Sequence, residues 1–427
     1  MPGLVVSLAL SLPGTAGASP LSPPEAVRGL VLAGDLAGAR DLLLAWQPRS
    51  ATDVERRLWL LAVIHRESGR PELALEVLQE LVSRRPDVAR FRLELAETLS
   101  ALGQRDRAAY QYEQALGGDL SAEQRSRAED ETARLARPTP WSGSFGIALV
   151  PSSNPGRKTQ EETLDLGFGQ AVLSAESRAR PATGMTVQAR AAYAHAFSDR
   201  LQGQLGLRFE GTYYDDSADS DRTGVVEARL IAAPRRDMIL STTLSYQHRS
   251  LGGAAYSEGP GLGLHLLTRA GPRGRIGAGL SLTDLSHARA PGADGLRSVV
   301  SLSYDHAASS SLTLRASLRH ERVAARSAEV AATTWEAGLG ASYAFRGGLI
   351  LDGDLWLRRS GRDGPHRLFG IVQQDRRQTL SLRLRHSEIS WAGFAPYLEL
   401  TGERQTSNIP VYGYTARDLT LGLTRRF

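Results

Sequence analysis

Two hydrophobic rhythms divide the chain. Between Glu25 and about Arg137, apolar residues recur every three to four positions among Ala, Leu, Glu and Arg, the spacing of helices that each bury one face. Beyond Pro138-Thr139-Pro140 the period falls to two. Leu201, Leu205, Leu207, Phe209 and Tyr213 alternate with Gln202, Gln204, Arg208, Glu210 and Thr212. Leu312, Leu314, Ala316 and Leu318 interleave with Thr313, Arg315, Ser317 and Arg319 in the same way, as Trp335, Leu339, Ala341 and Tyr343 do with Glu336, Gly338, Gly340 and Ser342. Such blocks predict strands with one apolar and one polar face. The expected fold is an α+β multidomain chain, helical at residues 19–137, linked through 138–140 to a β domain over 141–427.

Within the helical part, Gly34, Gly69 and Gly103 lie 35 and 34 residues apart, each followed five residues later by Ala39, Ala74 and Ala108, and then by Leu43, Leu78 and Tyr112. The period and the small residues resemble the tetratricopeptide repeat, a helix–turn–helix unit that stacks on its neighbours. Pro86 closes the second unit, whereas the third ends in Gly117-Gly118. Repeat stacks hold extended chains on a concave face. Repeat register puts Arg56, Trp59 and Arg66 of one unit, and Arg90 and Glu97 of the next, on that face. They are the candidate binding residues, against the plainer readings of Trp59 packing on a neighbouring unit and of a solvated charged surface.

The connections of the β region identify its type. Tight ones fall near Ser198–Arg200, Pro234–Arg236, Gly271–Gly274, Ala308–Ser310, Arg346–Gly348 and Ile389–Ala392, alternating with longer polar ones near 151–182, 215–221, 249–258, 287–295, 324–331, 361–375 and 405–413. Fourteen antiparallel strands result, with both ends on the short-turn side, as in a transmembrane β-barrel of a bacterial outer membrane. A soluble sandwich has no reason to alternate its loops in this way. Aromatics gather at strand ends (Tyr193 and Phe197, Tyr213 and Tyr214, Tyr343 and Phe345, Phe394 and Tyr397), where membrane interfaces lie. The chain ends on Phe427, a terminal aromatic that resembles the signal read by the barrel-assembly machinery.

Charge fits this reading once the polar face is turned inward. Arg208, Glu210, Arg315, Arg319, Glu321, Arg383 and Arg385 are expected to line the lumen, together with Arg190, Glu227, Arg229, Arg358 and Glu399; facing lipid, each would be costly. Their mixed signs suit ion-pair ladders better than an ion-selective pore. The basic residues comprise 50 Arg and the single Lys158, scattered without the patch that nucleic-acid binding requires. A net charge of +5 and 23% charged residues add nothing to that. No run of apolar residues is long enough for a membrane-spanning helix, and the absence of Cys excludes thiolate metal sites and cysteine catalysis. The histidines carry no hydrolase, zinc or nucleotide motif, so neither an enzyme nor a cofactor or metal is expected. Leu4–Leu12, followed by Ala16-Gly17-Ala18, reads as a secretory signal peptide over residues 1–18.

Two stretches carry a further likeness: Trp141-Ser142-Gly143-Ser144-Phe145-Gly146-Ile147 running into Pro151-Ser152-Ser153-Asn154, and Gly393-Phe394-Ala395-Pro396-Tyr397 followed by Ser407-Asn408-Ile409, Tyr412-Gly413-Tyr414, Leu421-Gly422-Leu423 and Phe427. With the repeats in front, the chain resembles the surface lipoprotein assembly modifier family of Gram-negative bacteria. The resemblance implies an outer-membrane translocon that moves client lipoproteins, or related secreted proteins, from the periplasm to the cell surface. It places the repeats in the periplasm as the client-binding part and as a docking place for chaperones. The protein would act as a monomer without nucleic acid. Gly143, Gly146 and Gly422, on the first and last strands, are candidate seam residues whose missing side chains weaken closure, or else simply make room for bulk inside the barrel. A polysaccharide exporter, a barrel enzyme and a passive porin are the alternatives. The first calls for sixteen strands and the second for a histidine with an activated partner at one rim.

Overall fold

The computed structural model describes residues 22–136, 140–165, 169–235 and 237–426. The expected signal peptide, residues 138 and 139 of the expected linker, and Phe427 lie outside the described residues. Among the described residues seven helices come first: α1 (Pro23–Leu32), α2 (Leu36–Ala45), α3 (Ala51–Glu67), α4 (Pro71–Arg84), α5 (Ala89–Ala101), α6 (Arg105–Leu116) and α7 (Ala122–Ala136). The chain divides into two compact units, Met1–Val77 and Leu78–Phe427, and the division falls inside α4.

The helices begin and end where side-chain chemistry says they should. Ser22 and Glu25 form a capping box at α1, Asp35 accepts from the Gly38 N–H at 2.9 Å, and Ser50 from the Asp53 N–H at 3.1 Å. Gly34, Gly69 and Gly103 adopt φ of 81°, 70° and 72°. At each, the glycine N–H and the next residue's N–H fold back onto the preceding turn: Gly34 to Val31 and Asp35 to Leu30, Gly69 to Arg66 and Arg70 to His65, Gly103 to Ser100 and Gln104 to Leu99. These Schellman closures recur with the repeat and require a residue at ease in the left-handed region. Ala39, Ala74 and Ala108 are wholly buried behind them. In the first unit, Val27, Ala39, Leu43, Leu60 and Ile64 form the core, with Trp46 and Trp59 packed against it.

In the second unit, fourteen strands close antiparallel: β1 (Trp141–Ser152), β4 (Ala182–Ser198), β5 (Leu201–Tyr214), β6 (Asp221–Arg235), β7 (Met238–Leu251), β8 (Ala254–Arg269), β9 (Gly274–His287), β10 (Gly295–Ala307), β11 (Leu312–Ala325), β12 (Ala332–Ala344), β13 (Leu349–Pro365), β14 (Val372–His386), β15 (Ala395–Ser407) and β16 (Tyr414–Arg426). Consecutive strands pair, and β1 meets β16 to close the ring. A small hairpin, β2 (Thr163–Asp165) with β3 (Gln170–Val172), stands in the loop after β1. The outward face is the apolar one, with Leu205, Leu207, Leu244 and Leu339 each about 60–66% exposed. Closure leaves no free edge strand in the barrel, which is what lets its strands stand in lipid.

Two connections differ from expectation. Residues 249–258 were expected to form a long loop, but β7 and β8 extend to a two-residue turn at Gly252-Gly253, with φ of 60° and 77°. Paired left-handed glycines match the strand twist, so the polar residues around them stay in the ladder. On the other rim, the connection expected to be tight near 389–392 runs from 387 to 394. Its tight turn, at Ala392-Gly393, is closed by Trp391 and Phe394 exchanging backbone hydrogen bonds of 2.9 and 2.8 Å, and it stands beyond the strand ends. Two aromatics also turn inward rather than joining the interface girdle. Tyr397 alternates in phase with Glu399 and Glu403, and its ring packs over Gly422; Tyr214 continues the inward row of Glu210 and Thr212.

Candidate functional site: the lumen, its collar and its seam

The inner wall has two chemically different sides. From β10 to β16 it carries paired charges. Glu321 accepts from Arg297 at 3.0 Å and from Arg319 at 3.1 Å, with Glu336 3.9 Å from Arg319. Glu403 receives Arg377 at 3.6 Å and Arg157 at 3.5 Å, and Arg157 also holds Asp418 at 2.6 Å. Nearer the other rim, Arg315 pairs with Asp354 at 3.0 Å, Arg385 with Asp352 at 3.0 Å and Arg383 with Glu399 at 2.7 Å. Arg358 sits in phase with Glu336, its register partner. The opposite side, β7 to β10, is small and uncharged at mid-height, with charges such as Arg249, Arg275 and Arg297 only towards the rims: Ser241, His265, Gly279 and Ser301 stand abreast in register, as do Thr243, Gly263 and Ser281. Arg190, Arg208, Glu210, Glu227 and Arg229 lie on inward rows of β4 to β6; Gln188 donates to Glu210 at 3.4 Å and Arg229 to Glu227 at 3.0 Å. A lumen of this kind is wet, carries little net charge on its ladder side, and offers a polar path.

The proposed client-binding residues fall in different units. In the first, Trp59 packs on the core beneath the Arg28 guanidinium, 5.4 Å from its ring; Arg56 is exposed, and Arg66 is half-buried beside Glu67 at 3.4 Å. In the second, Arg90 is exposed and Glu97 faces Arg127 of α7 at 3.8 Å.

Periodicity alone gave no hint of how α5–α7 attach to the barrel. They form a collar on the short-turn rim. Ser310, in the β10–β11 turn, donates to the carbonyls of Pro86 at 3.2 Å and Asp87 at 2.5 Å. Pro86 also accepts from the buried Arg92, whose other nitrogen reaches Gln111 at 2.9 Å; burial pushes the Arg92 guanidinium below its ordinary value. The Gly347 N–H donates to Ser83 at 2.9 Å, while Arg275 pairs with Glu113 at 2.8 Å and Arg273 with Asp119 at 2.9 Å. Gly117 lies so close to the β10–β11 turn that a Cβ there would stand 2.5 Å from the Ser309 carbonyl oxygen.

At the other rim, the loop after β1 is anchored to the barrel. The buried Asn154 donates to the carbonyls of Lys158 at 2.8 Å and Thr415 at 3.1 Å, and Lys158 pairs with Asp219 at 2.9 Å. Asn408 similarly holds the last loop, bonding Val372 and Gln374. The closing seam is interrupted here. β1 and β16 pair from Ser144↔Arg426 to Leu149↔Leu421 and meet again only at Ser152↔Asp418, skipping Val150 and Pro151. Proline has no N–H to give the ladder. Of the glycines singled out, Gly146 faces Thr424 and Gly422 faces Ala148 across the seam, whereas Gly143 pairs with Ala191 of β4. The seam opens into a groove of about 490 Å³ lined by Pro151, Thr183, Leu400, Arg417 and Leu419, among others.

One arrangement bears on catalysis. On the outward face, His248 Nδ1 lies 3.1 Å from Glu258 and its Nε2 lies 3.5 Å from the Ser250 hydroxyl. The order is that of a hydrolase triad, but at 3.5 Å the ring is too distant to hold the serine proton, and the ring and the carboxylate are each about half exposed. Ser250 is therefore expected to stay unlabelled by a fluorophosphonate probe on intact protein; labelling abolished by His248→Ala would restore the enzymatic alternative. Among the described residues, no group of three or more His, Asp or Glu side chains is placed to hold a metal ion.

Comparison with known proteins locates these features in a wider set. A family model described as surface lipoprotein assembly modifier matches residues 141–427, and a tetratricopeptide repeat model matches residues 65–118. No curated protein matches the chain. Among solved structures, the chain is similar to the outer membrane channel DcaP of Acinetobacter baumannii (10% identity, 67% of this chain and 96% of that one, TM-score 0.42) and to a FadL homologue of Pseudomonas aeruginosa (10% identity, 67% and 90%, TM-score 0.39).

Proposed function

The chain belongs to the surface lipoprotein assembly modifier family, and on that premise we propose that this outer-membrane barrel is a translocon carrying client surface lipoproteins, or related secreted proteins, from the periplasm to the cell surface. The observation that carries the reading is the collar: helices α5–α7 are bolted to the rim of a closed, polar-walled barrel. A diffusion pore has no use for such an attachment, whereas a carrier of protein gains a receiving surface at the entrance. The repeats recruit the client, with Arg56, Trp59, Arg66, Arg90 and Glu97 as candidate contacts and as a place for chaperones to deliver it. The uncharged wall supplies a path with little to grip a passing chain, and folding outside biases the direction. The barrel-assembly machinery would read Phe427, and the protein would work as a monomer. Fourteen strands, rather than sixteen, weigh against polysaccharide export.

The deciding experiment deletes the gene and treats intact cells with protease, blotting for lipoproteins encoded nearby. The expected result is at least one lipoprotein that becomes protected while unrelated barrel proteins remain normal. If every candidate remains accessible in the deletion strain, the translocon reading fails.

A further inference from the structure

Inside the barrel, arginines of the ladder wall face carboxylates; on the outside of the same wall, at its loop end, four do not. The outward row of β13 runs Leu349, Leu351, Gly353, Leu355, Leu357 and then Arg359. On β14 it runs through Leu384, Leu382, Leu380 and Gln378 to Arg376, on β15 through Leu398, Leu400 and Gly402 to Arg404, and on β16 through Leu423, Leu421 and Leu419 to Arg417. On every one of these strands the apolar belt ends in an arginine at the loop end, away from the collar.

The four are neighbours. Arg359 lies directly opposite Arg376. Arg376 is opposite Thr406, which puts it diagonal to Arg404, and Arg404 is opposite Thr415, diagonal to Arg417. Direct and diagonal partners on one sheet face lie about 5 and about 7–8 Å apart, so the four guanidinium groups form a ribbon across four strands. All four are exposed, and among the described residues no carboxylate pairs with any of them. By contrast, Arg322 on the same outer face pairs with Asp363. Like charges set opposite each other repel, and cations beside lipid are costly, so the ribbon needs an anion from outside the chain. Guanidinium groups in a row suit phosphate, which they grip in pairs. At this height the surrounding molecules are lipids of the outer leaflet, and Arg417 also lines the groove at the seam.

We propose that Arg359, Arg376, Arg404 and Arg417 form a binding site for a phosphate-bearing glycolipid of the outer leaflet, lipopolysaccharide, whose phosphates neutralise the ribbon while its acyl chains lie on the leucines beneath. The site depends on the barrel standing in an outer membrane and is independent of which client is carried.

The test uses the purified full-length protein in detergent with a chelator present, so that no divalent cation bridges lipid and protein. The probes are bisphosphorylated lipid A and the same lipid stripped of both phosphates, and retained lipid is counted by native mass spectrometry. Wild type is expected to bind the phosphorylated form at least tenfold more tightly. The quadruple variant R359Q/R376Q/R404Q/R417Q loses that preference, while Arg222→Gln, on the outward row of β6, keeps it. Equal binding of the two lipids by wild type overturns the proposal without recourse to any variant. So does full retention by the quadruple variant, or an equal loss in Arg222→Gln. Should the quadruple variant not assemble, Arg376→Gln alone is expected to lower the preference threefold or more, and an unchanged preference counts against the site.

Discussion

Stapling the closing strands together is expected to reduce client display at the cell surface tenfold or more, and a reductant is expected to restore it. Ile147 and Leu423 are register partners across the β1–β16 seam and both face outward, so the variant Ile147→Cys/Leu423→Cys can form a disulfide without entering the lumen. The chain has no cysteine of its own, which leaves the introduced pair alone. The expectation rests on the seam ladder, which among the described residues pairs fewer residues than any other in the barrel and has a gap at Val150 and Pro151, and on the groove beside it. On the proposed function a lipid-bearing client would have to bring an acyl anchor past the wall, and the shortest ladder is the place for the wall to part. Leu302→Cys/Leu318→Cys, an outward pair in the uninterrupted β10–β11 ladder, is the control and is expected to leave display unchanged. Measuring surface lipoprotein on intact cells with and without reductant decides the matter. Normal display from a fully oxidised seam staple would mean that the client leaves through the lumen alone.

A second large effect is expected from Gly117→Leu. A side chain there meets the Ser309 carbonyl and the Ala307 methyl, and the carbonyl belongs to a rim turn that cannot move without disturbing β10 and β11. The collar should therefore lift from the rim. Surface display is expected to fall about tenfold, and in membranes trypsin should cut after Arg125, whose side chain is held in the wild type by the Leu116, Gly118 and Pro272 carbonyls. The barrel itself should still migrate as a folded, heat-modifiable species, because its own ladder is untouched. Loss of folded barrel would instead make Gly117 part of barrel assembly, and unchanged display would separate the collar from transport.

Much of the architecture was legible because it rests on period and on backbone chemistry. Gly34, Gly69 and Gly103 could be read as turns since nothing else sits comfortably at their φ, and the strand count followed from alternation. Legibility failed where tertiary structure re-used the same residues. Gly252 and Gly253 looked like loop filler and proved to be the tightest turn at that rim. Tyr214 and Tyr397 looked like girdle aromatics but have the inward parity of Glu210 and Glu399. The arginine ribbon was accessible in principle: Arg359 and Arg404 share the phase of the leucines before them, and only attention to the polar rows hid it. The collar could not have been read, because Ser310 and Gly117 acquire meaning only when helix and rim meet. Whether Arg56, Trp59, Arg66, Arg90 and Glu97 meet a client depends on a partner surface that no spacing encodes.

The two-sided inner wall has a mechanical consequence. In the closed ring, the β9–β10 boundary stands seven strands from the seam in either direction. A ring that parts at one point must flex most at the point farthest from the break. At the middle of that boundary the inward positions are glycine and serine: Gly277 lies so near Ser303, and Gly279 so near Ser301, that an added Cβ would stand 2.6 and 2.8 Å from their hydroxyl oxygens. The struts of paired charge begin only beyond it. Were the seam to part, the molecule would work like a clasp, with its catch at β1–β16, a stiff arm of ion pairs from β10 round to β16, and a back that bends most readily at its glycine- and serine-lined middle.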